Sequence, residues 1–198
     1  MFLNFAIFVF AYLMGSVPTA YWYAKIFHGI DIREHGSGNV GATNSLRVLG
    51  KKAGAIVLVF DLLKGLIPVL AARYLGFSEE ITFGVGIVSI LGHIFSIFAN
   101  FRGGKGIATS LGVILAVSPL GAGVSVLVFV AIVYFTRYVS LGSMLAGLTF
   151  VVYYWVINSG FTSMSLIAFG LFLLLVFTHR ENIKRLVKGT ESKISAKK

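Results

Sequence analysis

The chain has 198 residues, of which 57% are hydrophobic, 14% aromatic and only 12% charged, about half the charged fraction of an ordinary soluble domain. That excludes a soluble globular protein and predicts an all-α integral membrane protein, with residues 1–198 forming a single polytopic domain. The formal net charge of +10 is spread by membrane sidedness rather than clustered, which argues against nucleic acid as a partner, and the lack of cysteine excludes thiolate catalysis, disulfides and thiolate metal sites.

Residues 1–24 carry no charged side chain, and Lys25 follows the apolar run. A signal peptide would place its positive charge first, so this order predicts a retained span over 3–24 with the N-terminus outside. Tyr21, Trp22 and Tyr23 read as an interfacial belt. A polar segment of small residues, HGSGNVGATNSLR, occupies 35–47. Apolar runs then predict helices over 53–74 and 80–99. Asp61 and Lys64 stand three apart on the first of these and share a face, so they read as a buried pair. His93 and Ser96 lie near the inner end of the second.

The run from 107 to 136 would be about 45 Å long as one helix, against about 30 Å of hydrocarbon. Ser118-Pro119 offers a cap followed by a proline at the first helical position. If the chain turns there, all of the 17 Lys and Arg fall on one face except Arg73, outside, and Lys64, within a span. The positive-inside bias selects that arrangement. It predicts a short helix over 106–117, about 18 Å long, and another over 120–136. Asn158-Ser159-Gly160 divides the last run into 140–158 and 162–178. The expectation is therefore about seven transmembrane helices, the N-terminus outside, the C-terminus cytoplasmic, and one short central helix. Residues from Glu191 onward, Ile194 apart, read as a frayed tail.

In this topology the polar segments 35–47, 100–106 and 178–191 share the cytoplasmic face, with 136–143 as a weaker fourth. Gly103-Gly104-Lys105-Gly106 brings flexible backbone amides and a cation to the start of a helix, a setting that suits phosphate. Arg47, Arg180 and the helix start at Ser140 and Ser143 add to it. The GxxxxGK[ST] spacing of a P-loop is absent. Taken singly, each feature is ordinary. Arg47, Lys51 and Lys52 also serve as topology signals, His179 as a helix-dipole partner, and Ser37 and Thr43 as turn caps. Together they predict an anion site. The competing reading is a transporter of a small organic phosphate. Such proteins place polar groups at mid-membrane in broken helices or repeats, whereas here only Asp61 and Lys64 lie deep.

Ser37-Gly-Asn-Val-Gly-Ala-Thr-Asn44 with Arg47, then Gly103-Gly-Lys-Gly106, then His179-Arg-Glu-Asn-Ile-Lys-Arg-Leu186 with Gly189-Thr-Glu191 closely resemble, in order, the three motifs of the PlsY family. These are the bacterial acyl-phosphate:glycerol-3-phosphate acyltransferases. The resemblance implies a multi-pass enzyme of the bacterial cytoplasmic (inner) membrane, working in phospholipid synthesis with its site facing the cytoplasm. It would move a fatty acyl group from acyl phosphate to the 1-hydroxyl of glycerol 3-phosphate, giving lysophosphatidate and phosphate. Acyl-CoA and acyl-carrier protein would not serve as donors, and the soluble enzyme that makes acyl phosphate would be a functional partner. No cofactor and no metal are expected. Many glycerolipid acyltransferases carry a His-x4-Asp pair. Here the residues five beyond His28, His35, His93 and His179 are Arg33, Val40, Phe98 and Lys184.

The expected catalytic residues are His179, Asn182, Ser37, Arg47 and Lys105. The expected substrate-binding residues are Gly38, Asn39, Gly41, Thr43, Asn44, Gly103, Gly104, Gly106, Ser143 and Glu181. Arg47, Lys105, Ser37 and the amides of the glycine motif would bind phosphate. Asn39, Thr43, Asn44 and Asn182 would orient hydroxyl and carbonyl, and Glu181 would hold His179 or Arg180. Two proton acceptors stay open: His179, with an ordinary pKa near 7, and a substrate phosphate oxygen. A covalent Ser37 acyl-enzyme is a third route, for which no adjacent base is evident.

Overall fold

A computed structural model describes residues 2–157, 160 and 162–194, and all regular structure among them is helical. The chain divides into two compact units, Met1–Val117 and Ser118–Lys198.

The first unit contains α1 (Phe2–Ser16), α2 (Thr19–His28), α3 (Ala42–Leu49), α4 (Lys51–Tyr74), α5 (Glu79–Ile94) and α6 (Ile107–Val117). The continuous helix expected over 3–24 is instead two helices bent by 42°. Pro18 sits at the break, where it has no N–H to donate and its ring crowds the preceding turn. The carbonyls released there are claimed by side chains from elsewhere. Ser96 Oγ donates to Ser16 O, and Lys64 Nζ donates to Val17 O at 2.7 Å. Lys64 also pairs with Asp61 Oδ1 at 2.7 Å, with both side chains buried. The intramembrane pair expected from sequence is thus present, and it also caps a helix break.

The short α6 ends with the help of the same device. Arg73, at the end of α4, donates from Nη1 to Ala116 O at 2.5 Å and from Nη2 to Val117 O at 3.3 Å. A cation on the last carbonyls of a helix satisfies orphan acceptors and opposes the helix dipole. Arg73, the one cation expected on the outer face, is therefore a helix cap. Alongside it, α4 and α6 approach too closely for side chains. A Cβ on Gly65 would lie 2.1 Å from Thr109 O, and one on Gly112 would lie 2.0 Å from Leu62 O. Small residues allow this backbone contact between membrane helices.

The second unit contains α7 (Pro119–Thr136), α8 (Val139–Ile157), α9 (Ser163–Thr178) and α10 (Arg180–Val187). The chain does turn at Ser118-Pro119, with Pro119 opening α7, and α6 is a separate short helix. Thr162 and Ser165 form a reciprocal capping box at the start of α9. Of the expected break at 158–160, Asn158 and Ser159 lie outside the described residues. Apart from the first, the expected helices each coincide with one of α4 to α9. Among the described residues, four stretches are long and apolar enough to cross a membrane, or six when each bent helix pair counts as one span. The tail departs from expectation. Glu191–Ile194 are not frayed, because Ile194 N donates to Arg137 O at 2.8 Å and Glu191 is bonded on three sides, as described below.

Candidate functional site

In the first unit, the segment 31–47 is folded around one amide. Asn44, in the first turn of α3, is 1% exposed. Its Oδ1 accepts from Ser37 N at 2.8 Å, and its Nδ2 donates to Ile32 O at 3.2 Å and His35 O at 3.0 Å. With its donors and one acceptor used this way, Asn44 organises the loop. Asn39 O accepts from Gly41 N, and Gly41 O accepts from the amide and hydroxyl of Ser45. Ser37 and Arg47 are exposed, whereas Gly38, Asn39 and Thr43 are half-buried and Gly41 is buried. Among the described residues Arg47 makes no hydrogen bond or ion pair, so its guanidinium is available to an anion.

The glycine motif is sewn onto the end of α5. Gly103 N donates to Ile94 O and Gly104 N to His93 O, both at 3.1 Å. Two amides expected to bind phosphate are therefore committed within the protein. The glycines have a different physical reason. A Cβ on Gly103 would lie 1.9 Å from His93 O, and one on Gly104 would lie 2.3 Å from His93 Nε2 and 2.4 Å from Val40 O. Gly104 thus lets the motif touch both α5 and the 31–47 segment. Gly106 takes a positive φ of 80°, which glycine adopts without strain, and α6 starts immediately after it. Lys105, between them, is half-buried. His93 lies behind the motif, buried, with Nδ1 4.0 Å from Asp61 Oδ1.

Where these two segments meet, the surface opens into a cleft of about 660 Å³. Its wall carries Asp31, Arg33, Glu34, Asn100, Arg102 and Gly103, with Gly38 and Val40 completing it. Only Gly38 and Gly103 were expected at a site. Arg33 is held in place by Asp31, through Nε to Oδ1 at 2.9 Å and Nη2 to Oδ2 at 2.6 Å, and it lies over the Tyr21 ring at 4.6 Å. The Arg33 hydrogen bond holds the Asp31 carboxyl below its ordinary pKa. Asn100 and Phe101 take left-handed conformations, with φ of 53° and 58°. This is unusual for an aromatic residue and is fixed by Phe101 N on Ser96 O at 2.7 Å and Arg102 N on Ala99 O at 3.1 Å. The charges flanking both motifs were the available signal for this cleft. In the sequence, Arg33 counts toward charge sidedness, Arg102 lies within the 100–106 polar segment, and Asp31 and Glu34 are not singled out.

The second unit carries the third motif. His179 stands between α9 and α10 and is 2% exposed. Its Nδ1 lies 2.9 Å from Leu175 O. A carbonyl only accepts, so this nitrogen carries the proton and the lone pair is at Nε2. Glu181 does not hold His179. It is exposed and bonded to Lys184 at 3.0 Å, which keeps its carboxyl below the ordinary range. Arg180 donates to Phe177 O at 3.1 Å and stacks on the Phe177 ring.

Glu191 is the organising residue here, and sequence reasoning had assigned it to a loose tail. Its Oε1 accepts from Ser140 Oγ at 2.7 Å and Asn182 Nδ2 at 2.6 Å, and its Oε2 accepts from Arg185 Nε at 2.7 Å. Burial raises its pKa, but the three donors outweigh that and hold it below the ordinary value. The Gly189-Thr190-Glu191 end of the third motif was the signal that should have kept it out of the tail. Ser143, expected at the site, is buried and donates to Val139 O at 2.9 Å within its own helix. Its neighbour Ser140 makes the contact between segments.

Residues 5–189 match the family model for glycerol-3-phosphate acyltransferase. A Bacillus anthracis protein named glycerol-3-phosphate acyltransferase 2 is 46% identical over 97% of this chain and 100% of its own length. A Bacillus subtilis glycerol-3-phosphate acyltransferase is 43% identical over 94% of this chain and 95% of its own. Among solved structures, the glycerol 3-phosphate form of PlsY, an integral membrane glycerol 3-phosphate acyltransferase, superposes with a TM-score of 0.91 at 41% identity, covering 97% of this chain and 96% of that one. The lysophosphatidic acid form gives 0.88 at 40% identity, covering 97% and 95%. The chain belongs to the glycerol-3-phosphate acyltransferase family.

Proposed function

We propose that this member of the glycerol-3-phosphate acyltransferase family uses acyl phosphate as its donor. It acylates the 1-hydroxyl of glycerol 3-phosphate and releases lysophosphatidate and inorganic phosphate. The acceptor is named by its relatives, and the solved PlsY structures are of glycerol 3-phosphate and lysophosphatidic acid forms. The donor rests on the motif resemblance and on the missing His-x4-Asp pair. The setting that fits is the cytoplasmic side of a bacterial inner membrane. There the lipid donor arrives through the bilayer, the acceptor comes from water, and acyl phosphate is supplied by a soluble enzyme.

Acyl phosphate is already activated, so the protein's work is positioning and charge stabilisation. The hydroxyl oxygen attacks the acyl carbonyl carbon, the bond from that carbon to the phosphate oxygen breaks, and phosphate leaves. The single observation that carries a role for the protein is the Nδ1–H to Leu175 O bond of His179. It fixes the tautomer whose Nε2 accepts the hydroxyl proton. Arg47, Lys105 and Ser37 bind phosphate oxygens. Asn182, whose Nδ2 donates to Glu191, is held where it orients the reacting groups. Asn39 and Thr43 orient the hydroxyl and carbonyl beside Gly41, and Gly38, Gly103, Gly104 and Gly106 allow the segments to meet.

Purified protein supplied with palmitoyl phosphate and glycerol 3-phosphate is expected to form lysophosphatidate, and not with palmitoyl-CoA in a parallel reaction. Folded protein that makes none overturns the reading. For the base, His179→Ala is expected to lose about 10²-fold or more in kcat. Near-wild-type turnover would transfer the role of base to a substrate phosphate oxygen.

A further inference from the structure

A chain of buried polar groups runs through the first unit from the break at Pro18 to the glycine motif. Lys64 caps Val17 O and pairs with Asp61 Oδ1, each at 2.7 Å. The same carboxylate oxygen faces His93 Nδ1 at 4.0 Å. Asp61, Lys64 and His93 are all buried, and His93 Nδ1 makes no hydrogen bond among the described residues. The other edge of the imidazole backs onto the glycine motif, where a Cβ on Gly104 would stand 2.3 Å from Nε2. The carbonyls of His93 and Ile94 hold that motif as well, through the amides of Gly104 and Gly103. Lys105 follows directly.

A side chain that only filled this space would be better apolar, because burying a ring nitrogen without a partner costs free energy. The nitrogen is set instead toward a carboxylate. A carboxylate only accepts, so Nδ1 carries the proton and the lone pair lies at Nε2. A shift of about 1 Å brings Nδ1 and Oδ1 within hydrogen-bonding distance. We propose that His93 is a positioning residue for Lys105. Asp61 orients the imidazole, and the imidazole backs Gly104 so that the Lys105 ammonium meets phosphate oxygens. This builds on Lys105 as a phosphate ligand. Gly103, Gly104 and Gly106 restrict their own backbone little, and Lys105 carries its charge on a flexible four-carbon stem. Two backbone hydrogen bonds tether the motif to the end of α5, and the imidazole supplies the wall that Gly104 rests on. Removing that wall gives Gly104 room to move and takes away the fixed origin of the Lys105 side chain. His93 thus acts through Lys105 and not on substrate.

The test is calorimetric binding of inorganic phosphate to the full-length protein in detergent, with thermal unfolding and acyl transfer measured on the same samples. The series is wild type, His93→Ala, His93→Gln, Lys105→Ala and the double variants that join each His93 change to Lys105→Ala. His93→Ala is expected to weaken phosphate binding about tenfold, and Lys105→Ala at least as much. The double variant should bind no more weakly than Lys105→Ala alone, because two residues acting in one chain are not additive. His93→Gln keeps length and a polar tip and should recover part of the loss. If His93→Ala does not fold, the same comparison with His93→Gln decides. Phosphate affinity that stays at the wild-type value in the folded His93 variants overturns the proposal, whatever their unfolding temperatures. So does a double variant whose loss is the product of the two single losses. If wild type binds no phosphate, or Lys105→Ala binds it as wild type does, the phosphate role of Lys105 falls and the proposal with it. A wild type that binds phosphate but makes no lysophosphatidate is a failure of the acyl-transfer reading alone.

Discussion

Two side chains do similar work in different chemical ways. Asn44 gathers the 31–47 segment in the first unit, and Glu191 gathers the start of α8 and two positions of α10 in the second. Asn44 is neutral, both donates and accepts, and reaches only residues 7 to 12 positions away. Glu191 is charged, only accepts, and reaches Ser140, 51 positions earlier. A neutral amide can close a local loop with little desolvation cost. A carboxylate can bridge distant segments because charge-assisted bonds are roughly twice as strong as neutral ones, but it ties that junction to pH.

Removing the charged centre should have the largest effect. Glu191→Ala leaves the Asn182 amide without its acceptor in a buried setting, although Arg185, being more exposed, regains water. A loss of about 3 kcal/mol is expected, with turnover reduced more than tenfold, measured by thermal unfolding and activity in the same detergent. Asn44→Asp comes next. The new side chain still accepts from Ser37 N but points an acceptor at Ile32 O and His35 O, for about 2 kcal/mol. Asn44→Ala should cost less, about 1 kcal/mol, because the exposed end of the loop reaches water.

Acid separates the two centres without mutation. The folded Glu191 pKa lies below its unfolded value, so its contribution is full above about pH 4.5 and is lost as pH falls through the depressed folded value. Protection of the amides around 137–140 and 182–194, relative to their intrinsic exchange rates, should therefore fall at low pH, while that of the amides held by Asn44 does not follow. Equal acid sensitivity at both would remove the distinction. The smallest effect is expected from Ser140→Ala, about 1 kcal/mol in stability, since Asn182 and Arg185 still hold Glu191.

Helix positions were legible in the sequence because hydropathy and charge sidedness depend on short stretches. The turn at Ser118-Pro119 was found this way. The bend at Pro18 was not, because the run 1–24 stays apolar across it and the side chains that satisfy its broken turn, Lys64 and Ser96, are far away in sequence. The glycine motif reads in the sequence as space for a ligand, but in the structure Gly103 and Gly104 lie against neighbouring backbone and side chain. The space is filled by His93 and Val40. Glu191 was misread because a polar tail and a buried acceptor look alike until the three donors that surround it are known.

The Lys64 contacts also bear on how the chain enters the bilayer as it is made. A lysine within a membrane span costs about 3 kcal/mol to insert alone. Its partners are Asp61, in its own helix, and Val17 O, at a bend 47 residues earlier. Both have emerged from the ribosome before Lys64 does. The charge therefore never has to wait for a later helix, because the bend at Pro18 and the first turns of α4 that meet it are already made.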